Sequence, residues 1–226
     1  MKPETNQNQT SNTASSTINS DTESKTIEKI ENISDNTFHS CTATLLKGSK
    51  LFRLQNGEYD GSCVFFNPNG FDTRFGLTDG INGTMYLAYD PLTAMKEVFN
   101  GKLGILESDL NQYHIGTVIL EKDLQLLDMP KSIKKTSLTL HDVTTSSRST
   151  TQLLAEKVRA AGLDGIKFLS NVTSEECLAL WHNDPSGKGV AITKENSMQR
   201  LSEFEHQGES AADILVNQLG ISVEEG

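Results

Sequence analysis

The clearest pattern in the chain lies over residues 84–89, where apolar side chains fall alternately on two sides. A period of two residues predicts a β-strand. One face of this strand carries Met85, Leu87 and Tyr89, and the other carries Tyr86 and Ala88. Asp90 and Pro91 follow directly, and an acidic N-cap followed by proline is typical of a helix start. A helix is therefore predicted over residues 91–100, ending at Gly101.

The other apolar runs predict a domain in which strands outnumber helices. Strands are predicted over residues 49–54, 115–121, 124–127, 165–169, 177–181 and 189–193, and helices over 151–161, 198–204 and 211–219. Residues 57–70 are predicted as a loop, and the polar stretch 130–148 as a loop or a mobile insertion. Several strands follow one another without a helical crossover. This order favours an α+β fold with a curved, mainly antiparallel sheet and flanking helices.

The composition divides the chain into three parts. Residues 1–35 consist mostly of Thr, Ser, Asn, Gln and Glu, which bury too little apolar area to offset the cost of ordering. We therefore expect a disordered polar segment over residues 1–41, with at most a short helix around 25–33. A single folded domain is expected over residues 42–206, followed by an acidic C-terminal segment over 207–226.

Charge and cysteine usage exclude several functions. The formal net charge of −10 argues against general binding to nucleic acid or anionic lipid, so an anion must be held locally by a few arginines. No apolar run reaches the roughly 20 residues of a membrane span, and no Sec-type signal is evident. The three cysteines, Cys41, Cys63 and Cys177, form no CxxC motif and predict free thiols in a reducing compartment. The five histidines share no metal-ligand spacing, so no metal site is predicted.

Three residues around the predicted strand and helix carry distinctive chemistry. Arg74 offers a planar fork that matches phosphate oxygens, and Tyr86 offers a flat face for a heteroaromatic ring. A partly buried Glu97 beside a cleft could stabilise positive charge on a sugar's anomeric carbon. Together they suit a pyridinium nucleotide better than a plain sugar or a peptide. Taken singly, each also fits a structural role, as a surface ion pair, a core strand residue and a solvated helix residue, and spacing alone does not decide.

Four sequence blocks resemble the RES domain, the toxin half of a bacterial toxin–antitoxin family. The central block is R-F, then G-T-M-Y-L-A-Y-D-P-x-T-A-x-x-E-V, which contains Arg74, Tyr86 and Glu97. Leu51-Phe52-Arg53 resembles the opening strand of the family, residues 162–170 its G-x-D-G-I-x-Y-x-S strand, and residues 178–181 a later strand. The resemblance spans roughly residues 51–193 and implies a fold similar to ADP-ribosyltransferase toxins.

The resemblance implies an enzyme that degrades NAD⁺ at the nicotinamide–ribose bond, by hydrolysis or phosphorolysis, with NAD⁺ as substrate and no cofactor. Arg53, Arg74, Tyr86 and Ser170 would bind NAD⁺. The arginines would hold the pyrophosphate or ribose, Tyr86 would pack against the nicotinamide, and Ser170 would order the site by hydrogen bonds. Arg74, Tyr86 and Glu97 would act in catalysis, with Glu97 stabilising the ribosyl cation.

The chain departs from the family at two places, and two other functions stay open. Ser170 is followed by Asn171 and not closely by arginine, and the loop over residues 61–74 differs from the family's GGRW-like version. The same fold could transfer ADP-ribose to a macromolecule, or it could bind a nucleotide or partner without catalysis. The family implies an inhibitory antitoxin or immunity protein as partner. The expected location is the cytoplasm, either of the producing cell or of a cell into which the protein is delivered.

Overall fold

A computed structural model describes residues 10–69 and 72–225, with side chains described from Asp21 onward. Its strands are β1 Thr42–Leu45, β2 Lys50–Asn56, β3 Gly83–Ala88, β4 Gly104–Leu106, β5 Tyr113–Leu120, β6 Leu124–Asp128, β7 Gly165–Leu169, β8 Glu176–His182, β9 Ala191–Thr193, β10 Gln199–Arg200, β11 Glu205–His206, β12 Glu209–Ser210 and β13 Ser222–Glu224. Its helices are α1 Thr10–Glu31, α2 Asp35–Ser40, α3 Pro91–Val98, α4 Met129–Lys135, α5 Leu140–Thr144, α6 Arg148–Ala160 and α7 Ala211–Asn217.

Nine of these strands form one sheet, in the order β1-β6-β7-β8-β3-β2-β5-β10, with β9 also paired to β5. Neighbouring strands in this sheet are antiparallel except β6 and β7, which are parallel. The predicted α+β fold with a curved, mainly antiparallel sheet is confirmed. No helix in the described part of the chain is long and apolar enough to cross a membrane.

The sheet opens between β2 and β3. β3 pairs with β8 along its whole length, and β2 pairs with β5 along its whole length. In contrast, β2 and β3 pair at a single position, where Phe52 lies opposite Ala88. Ala88 is the last residue of β3, so the rest of β3 separates from β2, and α3 follows directly after the paired end.

Two hydrophobic cores cover the two faces of the sheet. Met85 and Leu87 of β3 belong to one core, while Ala88 belongs to the other and Tyr86 packs against it. The alternation predicted for this strand is confirmed. The predicted helix after it is also confirmed: the Asp90 side chain accepts a 2.7 Å hydrogen bond from the Thr93 N–H, and Pro91 begins the helix.

Residues 130–148 were expected to form a loop, and this expectation is wrong, because the stretch contains most of α4 and all of α5. Parallel strands cannot be joined by a hairpin and need a long crossover, which α4, α5 and α6 provide between β6 and β7. Three widely spaced apolar side chains, Met129, Leu138 and Val143, are almost fully buried and hold this crossover on the core. The Ser- and Thr-rich composition around them concealed this pattern.

The N-terminal segment is also more ordered than its composition suggests. Disorder was expected over residues 1–41; residues 1–9 lie outside the described part of the chain, and α1 and α2 occupy most of the rest. Thr26, Ile30, Ile33 and Phe38 are all less than 10% exposed. A few apolar residues on one side of each helix are enough for docking, and averaging over a polar segment hides them.

The C-terminal segment also packs on the core. The helix predicted over residues 211–219 is confirmed as α7, which buries Ile214 and Leu215 completely. After it, β13 pairs with β4 in parallel, from Ser222 opposite Gly104 to Glu224 opposite Leu106. Residues 207–225 are therefore part of the folded unit and not a separate tail.

A buried carboxylate ties the N-terminal helix to the crossover. Asp142 of α5 accepts hydrogen bonds from Thr26 Oγ1 at 2.7 Å and Lys29 Nζ at 2.8 Å, both on α1, and from the N–H and hydroxyl of Thr139. Burial alone would raise the pKa of Asp142, but the hydrogen bonds from Lys29, Thr26 and Thr139 outweigh it and lower this pKa to about 2.

We expect this interaction to make stability depend on pH in acid. Because the folded pKa of Asp142 lies below its unfolded value, its contribution is fully present above about pH 4 and is lost as pH falls through about 2. Asp142→Asn should lower the free energy of unfolding by about 2 kcal/mol at pH 7. Urea unfolding at pH 7, 4 and 2.5 checks this. A difference between the two proteins that stays constant over this range would contradict the assignment.

Candidate functional site

A cavity of about 340 Å³ lies where β2 and β3 diverge. This volume is at the small end of the range for sites that bind small molecules. The cavity is lined by residues from β2, β3, α3, β7, β8 and the loop between β2 and β3: Phe52, Arg53, Leu54, Asn67, Thr73, Thr84, Tyr86, Leu87, Ala88, Ala94, Glu97, Val98, Phe168 and Cys177. Arg53, Tyr86 and Glu97, three of the five residues singled out in the sequence, therefore meet at one cavity.

Arg53 is fixed at one end of its guanidinium. Its Nη1 donates to the backbone carbonyls of Cys63 and Phe65, each at 3.0 Å. Burial lowers the pKa of Arg53 from its ordinary value, although an arginine remains cationic at any physiological pH. No other hydrogen bond joins its guanidinium to a described residue, so the remaining donors are free for a ligand.

Tyr86 holds the loop that carries Arg74. Its hydroxyl accepts a 2.8 Å hydrogen bond from the Phe75 N–H, while Trp181 Nε1 donates to the Phe75 carbonyl at 2.9 Å. Burial raises the pKa of Tyr86, against the opposing effects of hydrogen bonds from Thr73 and Phe75 and of the positive charge of Arg74. The phenol is therefore neutral, and it accepts a hydrogen bond from the loop, while Tyr86 also lines the cavity.

Arg74 lies beside the cavity and does not line it. Its guanidinium carbon is 5.7 Å from the ring centres of both Phe75 and Phe168, within the range of cation–π contact. Phe168 also lines the cavity, so the charge of Arg74 lies just behind one of its walls. That charge opposes the rise in the pKa of both Tyr86 and Cys177. Arg74 is therefore close enough to affect the charge state of residues that line the cavity.

Glu97 lies in the last turn of α3, at the solvent-exposed side of the cavity. A partly buried carboxylate was expected here, and this expectation is wrong, because Glu97 is exposed. The helix macrodipole disfavours a negative charge at a C-terminus, so the stability of α3 does not explain why a glutamate occupies this position. The pKa of Cys177 is raised to about 12, mainly by burial and to a smaller extent by the negative charges of Glu97 and Asp90. The Cys177 thiol is therefore protonated and a poor nucleophile.

Ser170 is not in the cavity lining. It is 3% exposed, and its hydroxyl accepts hydrogen bonds from the N–H groups of Val172 and Thr173, each at 3.1 Å. Thr173 in turn accepts a 3.3 Å hydrogen bond from Thr93 of α3. These contacts order the turn after β7 and connect it to the helix that carries Glu97. Ser170 therefore supports residues of the site and does not itself line the cavity.

Several residues of the site were not predicted. Thr84 lies two positions before Tyr86 in a strand, so the two-residue period places both on the same face and could have indicated it. Asn67, Phe168 and Cys177 come from distant segments, and no local signal marks them. No group of three or more His, Cys, Asp or Glu residues suited to a metal ion occurs among residues 10–69 and 72–225.

We expect the hydroxyl of Tyr86 to contribute to stability. Tyr86→Phe leaves the Phe75 N–H without its acceptor, which should lower the free energy of unfolding by about 1–3 kcal/mol. Tyr89→Phe is the matched control, because Tyr89 is 38% exposed and its hydroxyl makes no hydrogen bond to a described residue. Urea unfolding of both variants checks this. Equal effects of the two substitutions would show that the Tyr86–Phe75 hydrogen bond contributes nothing.

Comparison with known proteins adds a family and a fold relative. The RES domain family model matches residues 50–201. A chain from the crystal structure of the M. tuberculosis MbcT–MbcA toxin–antitoxin complex superposes with a TM-score of 0.56 at 16% identity, covering 71% of this chain and 88% of that chain. No curated protein matches the sequence.

The family match includes the strands on both sides of the cavity, the helix with Glu97 and the strand that ends before Ser170. It extends over more than half of the chain. The protein therefore belongs to the RES domain family.

Proposed function

We propose that this protein is a toxin that degrades NAD⁺ by cleaving the bond between nicotinamide and ribose. The observation that carries the proposal is the meeting of Arg53, Tyr86 and Glu97 at one cavity, with the charge of Arg74 behind its wall. Membership of the RES domain family supports an enzymatic toxin, and the structural relative comes from a complex described as toxin–antitoxin.

The proposed reaction needs electrostatic stabilisation more than proton transfer. When the bond between ribose C1′ and the pyridinium nitrogen breaks, its electron pair goes to the nitrogen, and nicotinamide leaves as a neutral molecule. No general acid is needed for this step. The ribose carries the developing positive charge, and the Glu97 carboxylate stabilises it. An oxygen of water or phosphate then bonds to C1′, and with water a proton is lost to solvent.

The remaining residues would bind and orient the substrate. Because the cavity is small, we assign the nicotinamide and its ribose to it, with the Tyr86 ring against the pyridine. The pyrophosphate would lie at its edge and bind Arg53, while the charge of Arg74 would attract it from behind Phe168, in an otherwise acidic protein. Ser170 would act indirectly, by ordering the turn that contacts α3. NAD⁺ is the substrate, and no cofactor enters this proposal.

Release of free nicotinamide from NAD⁺ tests the proposal. Purified protein is incubated with NAD⁺ in the presence and in the absence of inorganic phosphate, and the products are separated by chromatography. ADP-ribose as the second product indicates hydrolysis, and a phosphorylated ADP-ribose that appears only with phosphate indicates phosphorolysis. A lack of nicotinamide release above background under both conditions would refute the proposal.

One observation favours a second candidate, the transfer of ADP-ribose to a macromolecule. Glu97 is exposed at the edge of the cavity, so an acceptor larger than water could approach the reacting carbon. NAD⁺ labelled in its adenylate half distinguishes the two functions in a cell extract. Label that becomes bound to protein or nucleic acid supports transfer, while label recovered in small molecules supports degradation. Binding of NAD⁺ without nicotinamide release would instead indicate a non-catalytic module.

We also propose that an antitoxin or immunity protein inhibits this enzyme by covering the cavity. An enzyme that depletes NAD⁺ would harm the cell that makes it, and the structural relative was crystallised in a toxin–antitoxin complex. We place the activity in the cytoplasm, of the producing cell or of a cell that receives the protein. The three cysteines are free and buried, which agrees with a reducing compartment.

A further inference from the structure

A second cavity, of about 230 Å³, has Phe168 in common with the candidate site. It lies between β7, the helices α4 and α5, and the loop that carries Arg74. Eight of its eleven lining residues are apolar, and the other three are Arg74, Lys134 and Thr144. We call this cavity the crossover groove, because α4 and α5 belong to the crossover between β6 and β7. No step of the proposed reaction uses this space.

Two leucines of the crossover groove are exposed to solvent. Leu140 of α5 is 61% exposed, and Leu169 at the end of β7 is 41% exposed. Single exposed apolar side chains are common, but these two come from different elements and line the same groove. Leu140 is also held in place, because it follows the N-cap Thr139, whose N–H and hydroxyl donate to the Asp142 carboxylate at 2.7 and 2.8 Å. The apolar wall is therefore already formed without a partner.

The charge of the crossover groove is opposite to that of the whole protein. The chain has a formal net charge of −10, yet Arg74 and Lys134 are the only ionisable residues that line the groove. Among the lysines of α4, Lys131 and Lys135 donate to backbone carbonyls, whereas Lys134 makes no hydrogen bond or ion pair with a described residue. A complementary occupant would combine an apolar group with a negative charge.

We infer that the crossover groove is a docking surface for an acidic, amphipathic segment of a partner protein. The segment places an apolar side chain against Leu140 and Leu169 and a carboxylate beside Lys134 and Arg74. A nucleic acid does not match this surface, because its phosphates gain nothing from the apolar wall and the net charge of the chain repels them. Under the proposed function the segment belongs to the inhibitory partner, and only this last assignment rests on that function.

Selection of random peptides displayed on phage, with the full-length protein as bait, tests the inference. The enriched peptides should combine Leu, Ile or Phe with Asp or Glu. Leu140→Glu and Lys134→Glu should each weaken the binding of these peptides at least about tenfold. Leu46→Glu is a matched control, because Leu46 is also 61% exposed but does not line the groove. Lys25→Glu is the second control, because Lys25 is an exposed helical lysine on α1. Neither control should change binding.

Charge reversal on both sides separates docking from a general effect on folding. A selected peptide in which lysine replaces the acidic residues should lose its binding to the wild-type protein and regain binding to Lys134→Glu. A misfolded variant would not recover binding to any peptide. Enrichment of no peptide, or equal binding of the selected peptides to the wild type, Leu140→Glu and Lys134→Glu, would overturn the inference.

Two other occupants have their own readouts. A fatty acid also joins an apolar chain to a carboxylate, so binding of dodecanoate that is lost in Leu140→Glu, without any enriched peptide, would assign the groove to a lipid. A dimer of the wild-type protein that dissociates in Leu140→Glu, observed by size-exclusion chromatography, would assign the groove to a second copy of the chain. Either result would overturn docking of an acidic partner segment.

The peptide experiment is independent of the proposed function, because binding is measured without NAD⁺. If the wild-type protein releases no nicotinamide but binds acidic peptides through Leu140 and Lys134, the proposed function fails and the docking surface stands. If the protein releases nicotinamide and the peptides bind all variants equally, only the docking inference fails.

Discussion

Replacing Glu97 by glutamine should lower kcat for nicotinamide release by about 10²–10³-fold, or about 2.7–4 kcal/mol of transition-state stabilisation. Glutamine keeps the size and the hydrogen-bonding oxygen of glutamate and removes only the charge. In the proposed mechanism that charge matters mainly when the ribose becomes cationic, so kcat should fall much more than KM changes. Nicotinamide release over a range of NAD⁺ concentrations gives both constants.

The position of Glu97 makes this a clean experiment. The residue is exposed in the last turn of α3, where the helix dipole opposes a negative charge, so removing the charge should not destabilise the fold. Glu28→Gln is a matched control, because Glu28 is also an exposed helical residue, but it lies on α1 and not at the cavity. Full activity of Glu97→Gln, or an equal loss in the control, would remove Glu97 from the mechanism.

The parts of the fold predicted correctly from the sequence are those set by local rules. The β3–α3 junction combines a two-residue alternation, an aspartate N-cap and a proline in the first turn, and all three are found in the structure. These signals need no knowledge of distant residues. They also place Tyr86 and Glu97 on adjacent elements, which is why the central residues of the candidate site could be selected before the fold was known.

The parts that could not be predicted depend on distant contacts. The divergence of β2 and β3 follows from their pairing with β5 and β8, which lie far away in the sequence. Because the sequence does not reveal this divergence, it also does not reveal that residues of β7 and β8 line the cavity. Similarly, Ser170 looked like a direct contact because it ends a recognisable block. Its hydrogen bonds depend on how the chain turns after β7, and block order does not specify this.

The order of the N-terminal segment also depends on contacts that its composition does not reveal. α2 is only six residues long, and Phe38 is its one buried residue. The Phe38 side chain is fully buried, in the same hydrophobic core as Ala88 of β3. Two lysines of α4 reinforce the docking of this segment: Lys135 Nζ donates to the Ser40 carbonyl at 2.9 Å, and Lys131 Nζ donates to the Thr42 carbonyl at 3.1 Å.

Phe38→Ala should therefore lower the free energy of unfolding by about 3–5 kcal/mol, because it removes a buried ring and leaves a cavity in the core. This is a large share of the roughly 5–15 kcal/mol that stabilises a typical domain. Phe65→Ala is the control: its side chain is 44% exposed, and its loss should cost less than about 1 kcal/mol. Urea unfolding at pH 7 compares both with the wild type. A cost below 1 kcal/mol for Phe38→Ala would mean that the N-terminal segment is dispensable and that the folded domain begins near Thr42, as its composition first suggested.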